Sequence, residues 1–335
     1  MDKKTILSIS VIIYARNEEE NLKRLFCSFK KQSYPKNKIE YIFIDDNSTD
    51  KSVELALQFG AKVIKVKTGD IELNKGIGMY KAKNDLVYWM DADMEIIDSD
   101  FFIKLSYPLH QNRNIFASFT KEFALDTKYP IKNSFLRFIS YDPLQRDPLY
   151  QFFSPSIEQT IIKKEKNYFV CKFVPKKIPP AGRSMYRRKL LLKTDVGKNK
   201  SFIDLETLEI VSRVGYQLFA YVPEAKIRHY HAEDLSTLIN KRIRNLKSDY
   251  LPNIQNKYYT WFDLKDPKDL FKIIFWIIWV NLIIPETCKG VIKSIIYKDL
   301  AFMWQPIVSF TTTDIILYNF LKNRGGRKLI SSIFK

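Results

Sequence analysis

Cysteine is scarce in this 335-residue chain: Cys27, Cys171 and Cys288 are odd in number and far apart. They form no CxxC and no disulfide framework, which points to a reducing compartment. Glycine is scarce too, at ten residues, which excludes a collagen-like or low-complexity chain. None of those glycines falls in the segment YARNEEEN after the first apolar run. A Gly-rich phosphate loop near the N-terminus is therefore absent, against a nucleotide-sugar pyrophosphorylase. Aromatic RNP motifs, zinc ligand sets and a helix-turn-helix pattern are lacking as well, so no nucleic-acid partner is expected. The early apolar run Ile6–Ile13 is followed by the charged stretch Arg16–Glu20, where a signal peptide would need small residues. It is read as a buried first strand, and the catalytic part is expected to face the cytoplasm.

Acidic residues are in deficit. Lys and Arg number 55 against 37 Asp and Glu, a formal net charge of +18. Such a surplus implies anionic company, whether nucleotide, phosphate or acidic lipid headgroups. It is also local, since residues 121–200 hold 18 basic and 7 acidic side chains. What is plentiful is apolar: 46% hydrophobic residues, with 24 Phe and 19 Tyr. That is enough for one large α/β domain with an appendage, and for a membrane-facing or ligand-stacking surface.

Strand and helix patterns alternate through residues 1–100. Ile6–Ile13 is a continuous apolar run, typical of a parallel strand covered on both faces. Leu22, Leu25, Phe26 and Phe29 recur at helical spacing within Glu18–Gln32. Tyr41–Ile44 reads as a second strand ending at Asp45-Asp46. Ser48 or Thr49 is expected to cap a helix that runs to Phe59 and closes at Gly60. A strand at Ala61–Val66, a helix at Asn74–Lys83 and a strand at Asp85–Met90 follow, the last running into Asp91-Ala92-Asp93. This order predicts a parallel sheet with ligands at the carboxyl ends of its strands. Prolines break up residues 101–200, where mixed structure with long loops is expected. A helix at Phe202–Gly215 and a strand at Gln217–Val222 come next.

Leu235–Tyr250 reads as a basic amphipathic helix, with Lys241, Arg242, Arg244 and Lys247 beside its apolar face. In the tail, Ile273–Ile284 is too short for a plain spanning helix, which needs about 20 apolar residues. Leu300–Leu321 is long enough but contains Gln305, Pro306 and Asp314, and a mid-bilayer Asp costs about 3 kcal/mol. Helices lying in the headgroup zone are expected, with Trp276, Trp279 and Trp304 as anchors and flanking Lys and Arg on the cytoplasmic side. A spanning hairpin and a helical layer buried on the core stay open as alternatives.

Two carboxylates one residue apart at a strand end, as in Asp91-Ala92-Asp93, can reach one hard cation that bridges two phosphates. Alone, such a trio is more often a solvated turn. Here it stands in the order VIIYARNEEENL, FIDDNSTD, NKGIG and WMDADME. That order resembles the nucleotide-sugar half of the family-2 glycosyltransferases of the GT-A fold, a Rossmann-like, mostly parallel sheet flanked by helices. The likeness is strong over residues 5–100 and continues more weakly through GRSMYRR and the segment ending at His231. It implies a catalytic domain over 1–231, with a nucleotide-binding half (1–100) and an acceptor half (101–231). A basic helix and linker (232–265) and a membrane-associated segment (266–335) would follow.

The resemblance also implies roles for named residues. The turn from Tyr14 through Ala15, Arg16 and Asn17 to Glu18 would bracket the base with its backbone amides and side chains. Asp46 would accept from a base imino N–H, and Asn74, Lys75 and Gly76 would close over base and ribose. Glu18 is equally explained as a helix-start acid on the macrodipole. Asp91 and Ala92 would line the donor site, with Asp91 on ribose or metal and Asp93 on the metal, Mn²⁺ or Mg²⁺. His229 and His231, two of three histidines, stand where the family often supplies a further metal ligand. The family's Glu-Asp acid pair falls on Ile203-Asp204, so the first acid is missing and Asp204 is the candidate base, with Glu206 as understudy. Gly182 would turn near the transferred sugar. Arg242 and Arg244 would hold the diphosphate or a lipid phosphate. The expected partners are a UDP- or GDP-sugar, a lipid or lipid-linked acceptor and the membrane surface. The expected reaction is inverting, metal-dependent sugar transfer, with a polyprenyl- or dolichyl-phosphate sugar synthase as the alternative.

Overall fold

The sheet begins where the sequence places it, and its first four strands run parallel. In the computed structural model, which describes residues 6–120, 132–141, 152–179, 181, 183–194, 196, 202–247, 251, 263 and 265–331, the chain opens with β1 (Ile9–Ala15), α1 (Glu19–Lys30), β2 (Ile39–Asp46), α2 (Ser52–Phe59), β3 (Lys62–Val66), α3 (Ile71–Lys81) and β4 (Leu86–Asp91). Then come β5 (Met94–Ile96), α4 (Phe101–Gln111), β6 (Ala117–Phe119), α5 (Ser134–Tyr141), β7 (Ile161–Lys164), β8 (Phe169–Lys172), β9 (Ser184–Arg187), α6 (Arg188–Lys193), α7 (Asp204–Arg213), β10 (Leu218–Tyr221) and β11 (Ile227–His229). The chain divides into two compact units, Met1–Ala124 with Pro155–His229 and Leu125–Ser154 with Tyr230–Lys335.

In the first unit nine strands form one sheet in the order β3-β2-β1-β4-β9-β6-β10-β8-β7. Only β8 and β9 run against the rest, so the sheet is mostly parallel. Alternate residues of β1 serve two layers. Ile9, Val11 and Ile13 join Leu22, Leu25, Phe26 and Phe29 of α1 in one core. Ile12 points the other way, onto Gly78 of α3. Two helix starts differ from expectation. The N-cap of α2 is Lys51, because Ser48 and Thr49 bond instead to Asn17 in the neighbouring turn. The start of α3 is earlier than Asn74, because Asp70 caps it by accepting from the Glu72 and Leu73 N–H groups. At the end of α2, Gly60 closes the helix in the left-handed region at φ 90°, a position that favours glycine.

The second unit contains α5, then α8 (Leu235–Asn245), α9 (Pro267–Asn281), α10 (Ile284–Tyr297), α11 (Gln305–Lys322) and α12 (Arg324–Ser331). Residues 125–154 group with it although chain order sets them in the catalytic stretch. The cause is packing. Phe135, Phe138 and Ile139 of α5 are buried with Leu238, Ala301, Phe302 and Val308, and Arg137 makes two hydrogen bonds to Asp299, at 2.7 and 2.8 Å.

Polar groups in this unit turn inward. Glu286 is fully buried and accepts from Trp279, Gln305 and Ser309. Apolar side chains turn outward: Phe271, Ile274 and Ile278 on α9, and Ile292, Ile295 and Ile296 on α10, are exposed, Ile295 by 71%. Trp276, expected as an interfacial anchor, is instead 3% exposed and packs with Phe153 and Val280. The Trp279 and Trp304 indoles donate to Glu286 and Ser134, within the same unit. Among the described residues one helical stretch, Leu300–Lys322, is long and apolar enough to cross a membrane. The pair α9–α10 meets the same test only as one span bent by 72°.

Candidate active site

The carboxyl end of β4 carries the acidic trio. Asp91 is its last residue, Ala92 and Asp93 form a turn, and β5 starts at Met94. β11 then pairs antiparallel with β5 in register, so His229 lies opposite Met94. That register places His229 Nε2 3.3 Å from Asp93 Oδ1. His231 is placed by the chain itself, two residues beyond His229. One ligand atom from each of Asp93, His229 and His231 lies within 4.8 Å of the others. A carboxylate with two imidazoles suits a transition dication such as Mn²⁺ better than Mg²⁺, which prefers an all-oxygen shell. Asp91 is not in that group. Its Oδ1 accepts a hydrogen bond from the Tyr14 phenol, on the neighbouring strand.

Around Tyr14 the structure gathers a charged cluster. Burial, then the Asp91 charge and hydrogen bond, hold the Tyr14 pKa well above the usual value, so the phenol stays protonated and donating. Lys75 is buried, lies 5.4 Å from the Tyr14 ring centroid and sits 3.3 Å from Glu72. Burial pulls its pKa down, but Glu72, Asp204 and Asp91 more than offset that, and the net shift is upward. Lys75 is thus a fixed cation among carboxylates.

Asp204 is the first residue of α7, and the N-cap is Ile203, so the acid is not used as the cap. Its position follows from Phe202, fully buried and stacked on Trp89 with ring centroids 3.7 Å apart. The Phe202 N–H also donates to the Glu72 carbonyl, and the Trp89 indole donates to the Lys75 carbonyl. Burial raises the Asp204 pKa, Lys75 and Arg183 pull it down, Asp91 pushes it up, and the net direction is up. A carboxylate of raised pKa is a better proton acceptor than an ordinary one. Glu206, two residues on and so about 200° round the helix, is half-buried.

Several expected donor-binding residues are committed to the protein itself. Asn17 adopts φ 56°, and its side-chain oxygen accepts from the Thr49 backbone N–H. The Glu18 N–H donates to Ser52, and its carboxylate accepts from Asn21. Asp46 accepts from the Thr68 and Gly69 N–H groups and from the Asn74 amide. Asn74 in turn accepts from the Thr68 hydroxyl. Asp46 and Asn74 therefore shape the loop before α3. Ala15, Ala92 and Gly76 are buried, and Arg16 is exposed at the turn. Gly182 lies outside the described residues. Arg242 and Arg244 stand on α8 in the second unit.

Sequence reasoning missed Glu72, Trp89 and Phe202, and missed what Arg183 touches. Glu72 lies three residues before Lys75 on one helix face, a spacing that could have signalled it. No local signal marks the Arg183 contact, in which Nη2 lies 3.1 Å from His229 Nδ1.

A mostly parallel sheet flanked by helices, with an acidic turn at the end of its fourth strand, defines an α/β protein of the GT-A fold. The chain matches the model of Glycosyl transferase family 2 over residues 10–193, and it belongs to that family. It is similar to the 4,4'-diaponeurosporenoate glycosyltransferase of Staphylococcus haemolyticus, with 40% identity over 106 residues, 28% of either chain. It is also similar to the dolichol-phosphate mannosyltransferase of Saccharomyces cerevisiae, with 37% identity over 100 residues, 27% of this chain and 36% of that one. The chain thus spans about a third or less of the length of these two relatives. Among solved structures, the mannosyltransferase PcManGT from Pyrobaculum calidifontis, in complex with GDP-Man and Mn²⁺, shares the fold. It matches with a TM-score of 0.52 and 14% identity over 94% of this chain and 89% of that one.

Proposed function

We propose that the chain is a metal-dependent, inverting glycosyltransferase. It moves a sugar from a UDP- or GDP-sugar to a lipid-linked or membrane-borne acceptor at the cytoplasmic face of the membrane. The observation that carries this reading is the meeting of Asp93, His229 and His231 beside the end of β4, in a chain of family 2. A dication held by these three residues, with Mn²⁺ favoured by the donor set, supplies positive charge where the nucleoside diphosphate departs. Tyr14, Lys75, the turn after β1 that Asn17 shapes and the loop before α3 that Asp46 shapes hold the base and ribose. Asp204, with its raised pKa, takes the proton of the acceptor hydroxyl as that oxygen attacks the anomeric carbon.

The membrane part of the proposal rests on the exposed apolar faces of α9 and α10, which stand beside buried polar groups. Glu286, Gln305 and Thr312 are buried, while Ile292, Ile295, Ile296 and Leu300 face outward. Water disfavours such a face, and lipid does not. Lys293 lies on that helix and Lys298 at its end, where cations meet anionic headgroups. A second reading, sugar transfer to a polyprenyl phosphate, is favoured by the likeness to the yeast dolichol-phosphate enzyme.

The test is a donor screen that measures nucleoside-diphosphate release from UDP- and GDP-sugars with Mn²⁺ and membrane lipid. One donor should turn over, and Asp93→Asn should abolish turnover while the fold is kept. An acid-labile lipid product selects the phosphate acceptor; an acid-stable glycoside selects the hydroxyl. In the same preparation Ile292→Glu with Ile295→Glu should lose sedimentation with anionic vesicles. No turnover with any donor, or an Asp93→Asn enzyme as fast as the parent, would overturn the reading.

A further inference from the structure

Arg183 holds a costly backbone conformation, and its contact with His229 is not used in the chemistry above. Its φ is 60°, a left-handed backbone that a non-glycine residue adopts only when its surroundings enforce it. The guanidinium is held at two atoms. Nη2 reaches His229 Nδ1 at 3.1 Å, and Nε reaches Met94 Sδ at 3.3 Å. A guanidinium has only N–H donors, so Nδ1 must be the acceptor in this contact. Neutral His229 then carries its proton on Nε2, the nitrogen 3.3 Å from Asp93 Oδ1.

A neutral imidazole has one in-plane lone pair, and two claimants need it. Arg183 has it in the arrangement described here; a dication bound by His229 would require it. If Nδ1 ligates, the Arg183 N–H loses its acceptor directly. If Nε2 ligates, its proton moves through solvent to Nδ1, and two N–H groups then face one another.

We propose that Arg183 is a positioning residue that competes with the metal for His229, so that loading the site expels the guanidinium. This rests on the metal-site reading above. The expelled cation remains beside the site, where the incoming diphosphate is the nearest chemistry a guanidinium fork binds well. Arg183 thereby links metal loading to the grip on the nucleotide: it weakens the metal alone and strengthens metal and diphosphate together.

The test uses the full chain without nucleotide. Long-range ¹H–¹⁵N spectra are readily assigned, since there are three histidines, and they should show metal-free His229 protonated on Nε2. Arg183→Gln offers an amide oxygen that accepts from Nδ1–H, and so favours the ligating tautomer. Its Mn²⁺ affinity, measured by calorimetry, should tighten about tenfold or more, the scale of one charge-assisted hydrogen bond. Arg183→Lys keeps a donor-only cation and should stay close to the parent. With UDP or GDP present, the order reverses, and Arg183→Gln binds the nucleotide more weakly. Finding His229 protonated on Nδ1 in the metal-free parent would overturn the proposal without touching the metal site. So would Arg183→Gln binding Mn²⁺ no more tightly than the parent. An absence of Mn²⁺ binding by both parent and Arg183→Gln would instead sink the metal-site reading and this proposal with it.

Discussion

Gly78 sets how closely α3 approaches the sheet, and so how Lys75 sits over Tyr14. A Cβ added there would meet Ile12 Cγ2 at 2.3 Å, well inside contact distance. Ile12 has no room to retreat, being fully buried on an interior strand between Ile42 and Trp89. Overpacking a core of this kind costs about 1–3 kcal/mol, and so close an approach belongs at the upper end. The helix gains about 1 kcal/mol from Ala over Gly, so Gly78→Ala should destabilise by about 1–2 kcal/mol net. For a unit of this size that lowers the melting temperature by about 3–6 °C. α3 must also lift off β1, widening the 5.4 Å spacing of Lys75 over the Tyr14 ring, so the donor KM should rise more than kcat falls. Thermal melts of Gly78→Ala, Ile12→Ala and the double variant measure the effect. Ile12→Ala alone leaves a cavity at a cost of about 2–5 kcal/mol, and the new Cβ partly refills it, so the double variant should cost less than the two singles combined. A Gly78→Ala protein that melts at or above the parent would refute the close approach, since helix propensity would then have won.

Asp204→Asn should lower kcat by about 10²–10⁴-fold with nucleotide binding kept. Because the folded-state pKa of Asp204 is raised, chiefly by burial, its contribution to stability is full below the unfolded pKa and is lost as pH rises through the folded value. The Asn variant removes that loss and should melt higher than the parent at neutral pH; the parent's activity should rise with pH along a limb above the ordinary carboxylate range, and the variant's residual rate should lack it. A variant that melts lower, or keeps the limb, counts against Asp204 as the base. In the second unit, Arg137→Ala leaves Asp299, 12% exposed at the side chain, without its two-pronged partner. The expected cost is about 2–3 kcal/mol by denaturant unfolding, below the range for full burial because Arg137 is 25% exposed; an unchanged midpoint would show the pair to be idle.

The sequence by itself determined the alternation of β1 to β4 with their helices, because apolar spacing is a local property and each of these elements is long enough to express it. It also determined the acidic trio at the end of β4, which lies within a few residues of a readable element, and the family resemblance pointed to the candidate base at the start of α7. What only the tertiary structure decided is who meets whom. β5 and β11 are three residues each, too short to show a period, and they lie far apart in the chain. Yet their register sets His229 against Asp93 and leaves Asp91 to Tyr14. Asp46 and Asn74 look like ligand groups in sequence; in space Asp46 also accepts from the Thr68 and Gly69 N–H groups, and Asn74 bonds to the Thr68 hydroxyl and to Asp46. In the tail, composition reveals the apolar residues but not their direction. Packing of α10 and α11 around Glu286 buries polar groups and leaves the isoleucines outside, because a buried carboxylate must find donors, and Trp279, Gln305, Ser309 and Lys289 bring them within reach.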